Sequence, residues 1–262
     1  MQDLGCKPCT QSNDDMCTSS SLASVIKTGH GLKGAYCNND YLVIMGTGKA
    51  SHDDGLRDVP RPPGDGSSSQ YVDQSVTRSY HEQFAVFKIP VSTKRTYRGD
   101  SLGSSDANYN AMMTQTDPTC FQTSKGALVD YGMPTTGAVG ISTSGQEIFP
   151  VYNNIGKTSM AACEMDRCNA HAGRGFDYHY HGDPFSSTAG RCMYSPADYQ
   201  NTDSGHPPQI GWALDGYLMY GRHLSANNIG YTVPLDNCGG HRHSTYEYHY
   251  HAQVILFKFI SY

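Results

Sequence analysis

The sequence predicts a mainly β protein, an antiparallel sandwich or distorted barrel whose second half is an internal pseudo-twofold repeat carrying two Tyr-His-Tyr-His strands. Three observations predict it. First, Tyr178-His179-Tyr180-His181 returns as Tyr248-His249-Tyr250-His251, at an offset of 70 residues and inside a shared frame. Asp166-Arg167-Cys168-Asn169-Ala170-His171 leads into one copy and Asp236-Asn237-Cys238-Gly239-Gly240-His241 into the other; an aromatic (Phe176 or Tyr246) and an acid (Asp177 or Glu247) follow. Self-similarity of this kind marks a duplicated structural unit. Second, aromatic and polar residues alternate through each copy with the period of a strand, which sends successive side chains to opposite faces. Third, the 262 residues are only 37% hydrophobic and 16% charged, with 28 Gly and 19 Tyr in their place. That composition suits a loop-rich β protein.

In chain order, residues 1–22 form a Cys-containing N-terminal arm, with Cys6, Cys9 and Cys17 among small and polar residues. Residues 23–262 form a single β domain with repeat units at about 137–185 and 208–253. Tyr41 to Met45 is a short apolar run between turn residues, hence a buried strand. Residues 53–70, dense in Pro, Gly, Asp and Ser, form a long surface loop. Gln83 to Val91 is a strand, with Pro90 near its end or on an edge. Residues 98–125 are polar with weak pattern and contain Cys120. Gly137 to Tyr152 reads as strand, turn at Ser144-Gly145, and strand. Ser159 to Cys168 is the one short helix expected, with Ser159 as its cap. Gly182-Asp183-Pro184 stops the first Tyr-His-Tyr-His strand, and residues 186–209 form another loop. Ile210 to Tyr220 repeats the hairpin around Asp215-Gly216. Gln253 to Tyr262 is the most apolar strand. If the duplication packs as a symmetric pair, the two Tyr-His-Tyr-His strands lie near each other.

Nine cysteines point to a disulfide-bearing extracellular or cell-surface chain. Residues 1–20 lack the apolar run of a secretory signal, so this reading takes the chain as mature or trimmed. Disulfide candidates are Cys168, Cys192, Cys163 and Cys238, with Cys168 bonded to Cys192 or Cys163. An odd count leaves one thiol free or bonded to another molecule. No segment reaches the roughly 20 apolar residues of a transmembrane helix. A net charge of -5 with no basic cluster gives nucleic-acid binding no electrostatic support.

The chemistry-bearing residues are the histidines. Asp177, His179 and His181 share one strand face, opposite Phe176, Tyr178 and Tyr180; Glu247, His249 and His251 do so in copy two, opposite Tyr246, Tyr248 and Tyr250. Two imidazoles at i and i+2 can share an ion, and His171 or His241 can return as a third nitrogen ligand. Three imidazoles suit a transition metal, copper or zinc first. Asp177 and Glu247 can ligate, or orient a ring N–H from behind. The plain alternative, Tyr and His hydrogen-bonded in a polar core, is the better reading of one His-x-His but not of two framed copies. His223 and His243 can each add a ligand or simply face water; the second is the simpler expectation, as it is for His30, His52 and His81. Asp183 can add an oxygen to the first site, and Asp215 reads as a hairpin residue.

At these residues the chain resembles the YHYH-domain family, named for the tetrapeptide. Gly211-Trp212-Ala213-Leu214-Asp215-Gly216-Tyr217-Leu218-Met219-Tyr220-Gly221 is similar to the family's G-x-A-x-D-G-[FY]-x-x-Y-G segment. Gly140 to Gly145, continuing through Val151-Tyr152-Asn153, is similar to its upstream counterpart. The resemblance runs from about Ser24 onward and is strongest from Gly137. It implies no settled activity.

No G-x-S-x-G elbow, P-loop, Rossmann glycine pattern or H-E-x-x-H occurs, so no catalytic residue is assigned. Two function classes follow. One is a secreted or surface structural protein, self-assembling through the N-terminal arm or the odd cysteine, whose histidines bind metal or form a rigid polar core. The other is a copper- or zinc-dependent extracellular metalloenzyme or metal carrier. The disulfide-rich, Gly- and Tyr-rich composition favours the first.

Overall fold

The computed structural model describes residues 31–37, 41–52, 56, 59–60, 75–76, 79–90, 96–97, 100–101, 137–150, 159, 165–173, 177–199, 206–224, 232–233, 235 and 239–252. These are mainly β, as the alternation predicts. The N-terminal arm, Cys163, Cys238, Phe176 and the strand expected over 253–262 lie outside the described residues.

A three-stranded antiparallel sheet has the order β1-β2-β5, from Leu32–Cys37 (β1), Tyr41–Gly46 (β2) and Ala85–Pro90 (β5). The first of these has no clear alternation and was not expected. Two short ribbons stand apart: Val59–Pro60 (β3) with Ser75–Val76 (β4), and Thr96–Tyr97 (β6) with Asp100–Ser101 (β7).

The second half makes one eight-stranded, curled sheet. Copy one supplies Gly140–Ser142 (β8), Glu147–Ile148 (β9), Ala170–Ala172 (β10) and Tyr178–Tyr180 (β11). Copy two supplies Gln209–Ala213 (β12), Leu218–Tyr220 (β13), Gly240–His243 (β14) and Tyr246–His251 (β15). The order β10-β11-β9-β8-β12-β13-β15-β14 reads the same from either end once copies are exchanged. The centre is an antiparallel pair in which Gly140 faces Ala213, Ile141 faces Trp212 and Ser142 faces Gly211. Gly140 corresponds to Gly211, at an offset of 71, so the pseudo-twofold axis passes between Ile141 and Trp212.

That placement corrects one expectation. The two Tyr-His-Tyr-His strands are not neighbours, because four strands separate β11 from β15. The copies join through their first hairpins, so each tetrapeptide strand is carried outward. At about 4.8 Å per strand, five steps span roughly 24 Å on a flat sheet.

The core sits where the sheets meet. Leu42, Ile44 and Ile89 of the smaller sheet pack on Ile141 and Trp212 at the axis. Tyr178 and Tyr180 fill a second cluster with Ala50, Ile148, Met193, Tyr194 and Ile210. Both central hairpins turn on a glycine with positive φ, +94° at Gly145 and +95° at Gly216, where any other L-residue is strained.

The expected helix over 159–168 is a turn at its described end. Asp166 Oδ1 accepts from the amides of Cys168 (2.7 Å) and Ala170 (3.1 Å), and its Oδ2 accepts from Tyr178 Oη (2.7 Å). An aspartate that takes amides two and four residues on competes with helix formation. The frame's aspartate is thus a buried turn-maker. Burial raises its carboxyl above the usual range, against the stabilising bonds from Tyr178 and the two amides.

Cys168 is bonded to Cys192, 24 residues on. Replacing both with Ser is expected to cost about 3 kcal/mol, from the loop-closure entropy returned to the unfolded chain. Chemical denaturation of the double variant checks this, and unchanged stability would show that the loop is held by its packing alone.

Candidate metal centres

In copy one, β10 and β11 pair so that His171 faces His179 directly across the ladder. His181 follows one strand step beyond on the same face. The three Nε2 atoms converge: 3.0 Å for His171–His179, 3.1 Å for His171–His181 and 3.1 Å for His179–His181. An ion about 2.0–2.1 Å from all three nitrogens would sit roughly 1 Å above their plane, with its remaining positions on one side.

The other ring nitrogens fix the tautomers. His179 Nδ1 donates to the Asp177 carbonyl (3.1 Å), and His181 Nδ1 to the Pro150 carbonyl (2.5 Å). A carbonyl oxygen only accepts, so each Nδ1 carries the hydrogen and each Nε2 presents a bare lone pair. Copy two repeats the device. His249 Nδ1 donates to the Glu247 carbonyl (2.6 Å) and His251 Nδ1 to the Gly221 carbonyl (2.7 Å), and their Nε2 atoms are 3.0 Å apart. Pro150 and Gly221 are equivalent across the axis. Both tetrapeptides therefore hold two imidazole lone pairs against each other with no hydrogen between them.

The surroundings of the two copies differ. In copy one, Asp177 Oδ2 lies 3.0 Å from His179 Nδ1, a carboxylate orienting the ring from behind. Burial alone would raise Asp177, but its hydrogen bond with His179 and that ring's charge bring it below the usual range. Glu147, which faces His179 across β9 and β11, is raised by burial and then by the Asp177 charge. Phe149 lies against His179, ring centroids 4.1 Å apart. In copy two the Glu247 carboxylate points to solvent, 76% exposed and 2.9 Å from Arg242. Only its carbonyl touches the site, so it orients His249 without a charge.

Tyr246 also departs from the expected face. Between His241–His249 and His243–Tyr246 the ladder carries one extra residue on β15. Such a bulge re-aims the side chains beyond it. The Tyr246 ring stacks on His206, at 4.0 Å and 5°.

His223 and His243, for which facing water was the simpler expectation, are gathered here together with His206. His206, His243, His249 and His251 form one group whose ligand atoms lie within 4.8 Å of one another; His223, His241, His243 and His251 form another, and His171, His179 and His181 a third. His241-Arg242-His243 has the same i, i+2 spacing as the tetrapeptide histidines and could have flagged His243. Nothing local marks His206 or His223. His52 stays outside the clusters, its Nε2 2.7 Å from Tyr180 Oη. Asp183 is buried between Tyr194 Oη, which donates to it, and Arg222 Nε (3.3 Å), so its oxygens serve another network. Asp215 accepts from Tyr217 N (3.3 Å) and Tyr250 Oη (2.8 Å), a turn residue that also ties down β15.

Burial holds His181 and His241 down to about 4 and His249 to about 3; His251 is lowered as well, by burial first and then by the His249 charge. The sign follows from linkage. An unfolded histidine titrates near 6.5, so between roughly pH 4 and 6.5 the unfolded chain binds more protons, and stability falls as pH drops. The metal-free protein is therefore expected to melt at lower temperature at pH 5 than at pH 7. Equal melting temperatures would contradict the buried neutral state.

Fold and site together define a duplicated all-β protein with a poly-imidazole cluster in each copy. The family model for the YHYH protein matches residues 87–230, and the chain belongs to that family. The matched span holds all of copy one and the hairpin of copy two, and ends before the second tetrapeptide. No curated protein and no solved structure is detectably similar.

Proposed function

We propose that this is an extracellular structural metal-binding protein of the YHYH family, in which imidazole clusters hold copper or zinc and rigidify each copy of the repeat. The observation that carries it is the pair of Nε2–Nε2 contacts, 3.1 Å for His179–His181 and 3.0 Å for His249–His251, between nitrogens whose ring partners already donate to carbonyls. Lone pairs held that close in a buried setting repel, and a cation between them turns the repulsion into ligation. A proton could do the same, but burial disfavours it. Borderline transition metals match nitrogen donors; calcium and magnesium do not.

The extracellular assignment draws support from the Cys168–Cys192 disulfide and the nine cysteines. Self-association through the N-terminal arm or the odd cysteine belongs to the same proposal. It predicts a dimer band on a non-reducing gel that reductant removes.

One observation favours the enzyme or carrier reading. The copy-one nitrogens lie to one side of any ion they share, which leaves a position for water or substrate.

The test is elemental analysis after exposure of the metal-free protein to zinc or copper and gel filtration. At least one ion per chain is expected to be retained, and retention should fall when His179 and His181 are replaced together by Ala. No retained metal would overturn the proposal. With copper bound, a spectrum that shifts on adding azide would favour the carrier or enzyme, and one that does not would favour the structural role.

A further inference from the structure

Resting on the metal-binding reading, the geometry points to a second difference between the copies: we propose that copy two holds two ions, one on His206, His249 and His251 and one on His223, His241 and His243. Copy one holds one, so the full chain takes three.

Copy one has three converging imidazoles and copy two has six. The positions equivalent to the extra three carry no imidazole in copy one. His243 corresponds to Gly173, His223 to Tyr152 and His206 to Thr135, at offsets of 70, 71 and 71. At Gly173 an added Cβ would come within 3.2 Å of His179 Cε1 and Asp177 Oδ1, so copy one has little room for a fourth ring there.

Six imidazoles exceed what one ion needs. A structural zinc takes four ligands, and a copper or zinc with an open position takes three from protein. The six fall into two overlapping groups. His249 and His251 keep the close contact of their copy-one equivalents. His241 does not keep that of His171: its Nδ1 donates to the Val233 carbonyl (2.7 Å), and its Nε2, buried, has no hydrogen-bond partner. The third corner beside His249 and His251 falls to His206, whose Nδ1 donates to the Pro207 carbonyl (2.8 Å). The ligand atoms group His241 with His223, His243 and His251 and not with His206 and His249, although its ring centroid also lies 5.0 Å from that of His249 and 4.9 Å from that of His251. His243 and His251 belong to both groups, which places the two ions side by side. A neutral imidazole offers one lone pair, so each of the two serves a single ion and the division is three and three. Protein sites with two ions roughly 3.5–4 Å apart are well precedented.

The experiment is a zinc titration of the full oxidised chain, its free thiols capped with iodoacetamide, read by native mass spectrometry. Three ions per chain are expected. The His223→Ala variant should bind two, and so should the variant with both His179 and His181 replaced by Ala, because each loses a different ion. Retention of the copy-one ion in His223→Ala shows that the variant is folded. Two ions or fewer on the parent chain, or three still on His223→Ala, would overturn the two-ion centre while leaving single-ion binding intact. No zinc at all would remove the metal reading itself, and the proposal with it.

Discussion

Trp212→Ala is expected to cost about 3–5 kcal/mol, the range for emptying a large aromatic site in a core. Trp212 is the sole tryptophan of the sequence and is 1% exposed. It faces Ile141 on the pseudo-twofold axis and packs with Leu42, Ile44 and Ile89 of the other sheet. Strand β12 is paired on both sides, which limits collapse around the vacated site. A loss at the upper end would lower the melting temperature by roughly 10–20 °C, at about 2–4 °C per kcal/mol for a chain of this size. Thermal melts of the variant check it. A loss under about 1 kcal/mol would mean that the copies are joined chiefly by their hydrogen-bonded ladder. Metal retention gives an independent readout, because each cluster lies away from the axis and should load normally in whatever fraction stays folded.

The second large effect is expected at His181. Its Nε2 touches both other nitrogens of copy one and its Nδ1 is fixed by Pro150, so it is a fully positioned donor. Groups that merely orient a ligand are worth 10–100-fold in metal affinity, so removing the ligand itself should cost more, on the order of 10³-fold. His181→Ala should therefore empty copy one while copy two still loads. It should also lessen the acid sensitivity of the metal-free protein, since a neutral buried imidazole that resists protonation is gone. Competition with a chromophoric chelator measures the affinity. A fall of less than tenfold would contradict ligation by His181.

The β class, the duplication and the hairpins were legible because strand period and Gly-centred turns are local signals. The positive φ at Gly145 and Gly216 shows why those turns could be read. The convergence of His171 with His179 was legible only in outline. Sequence suggests a loop-returned ligand, whereas β10 places His171 opposite His179 by ladder pairing. What sequence could not show is non-local. The separation of β11 from β15 depends on which hairpins meet at the axis. The face of Tyr246 depends on a bulge that alternation alone cannot reveal. His206 and His223 reach the second cluster from loops with no repeat signature. The helix expected over 159–168 is a turn at its described end because Asp166 takes the amides of Cys168 and Ala170.

In the proposed function each tetrapeptide turns imidazole lone pairs inward to hold a metal ion. Anomalous diffraction at the zinc edge from crystals of the zinc-loaded protein tests it most directly. A peak is expected about 2.0–2.1 Å from Nε2 of His171, His179 and His181, with further density inside the copy-two cluster. Imidazoles in the arrangement described here with no peak at either cluster would contradict it.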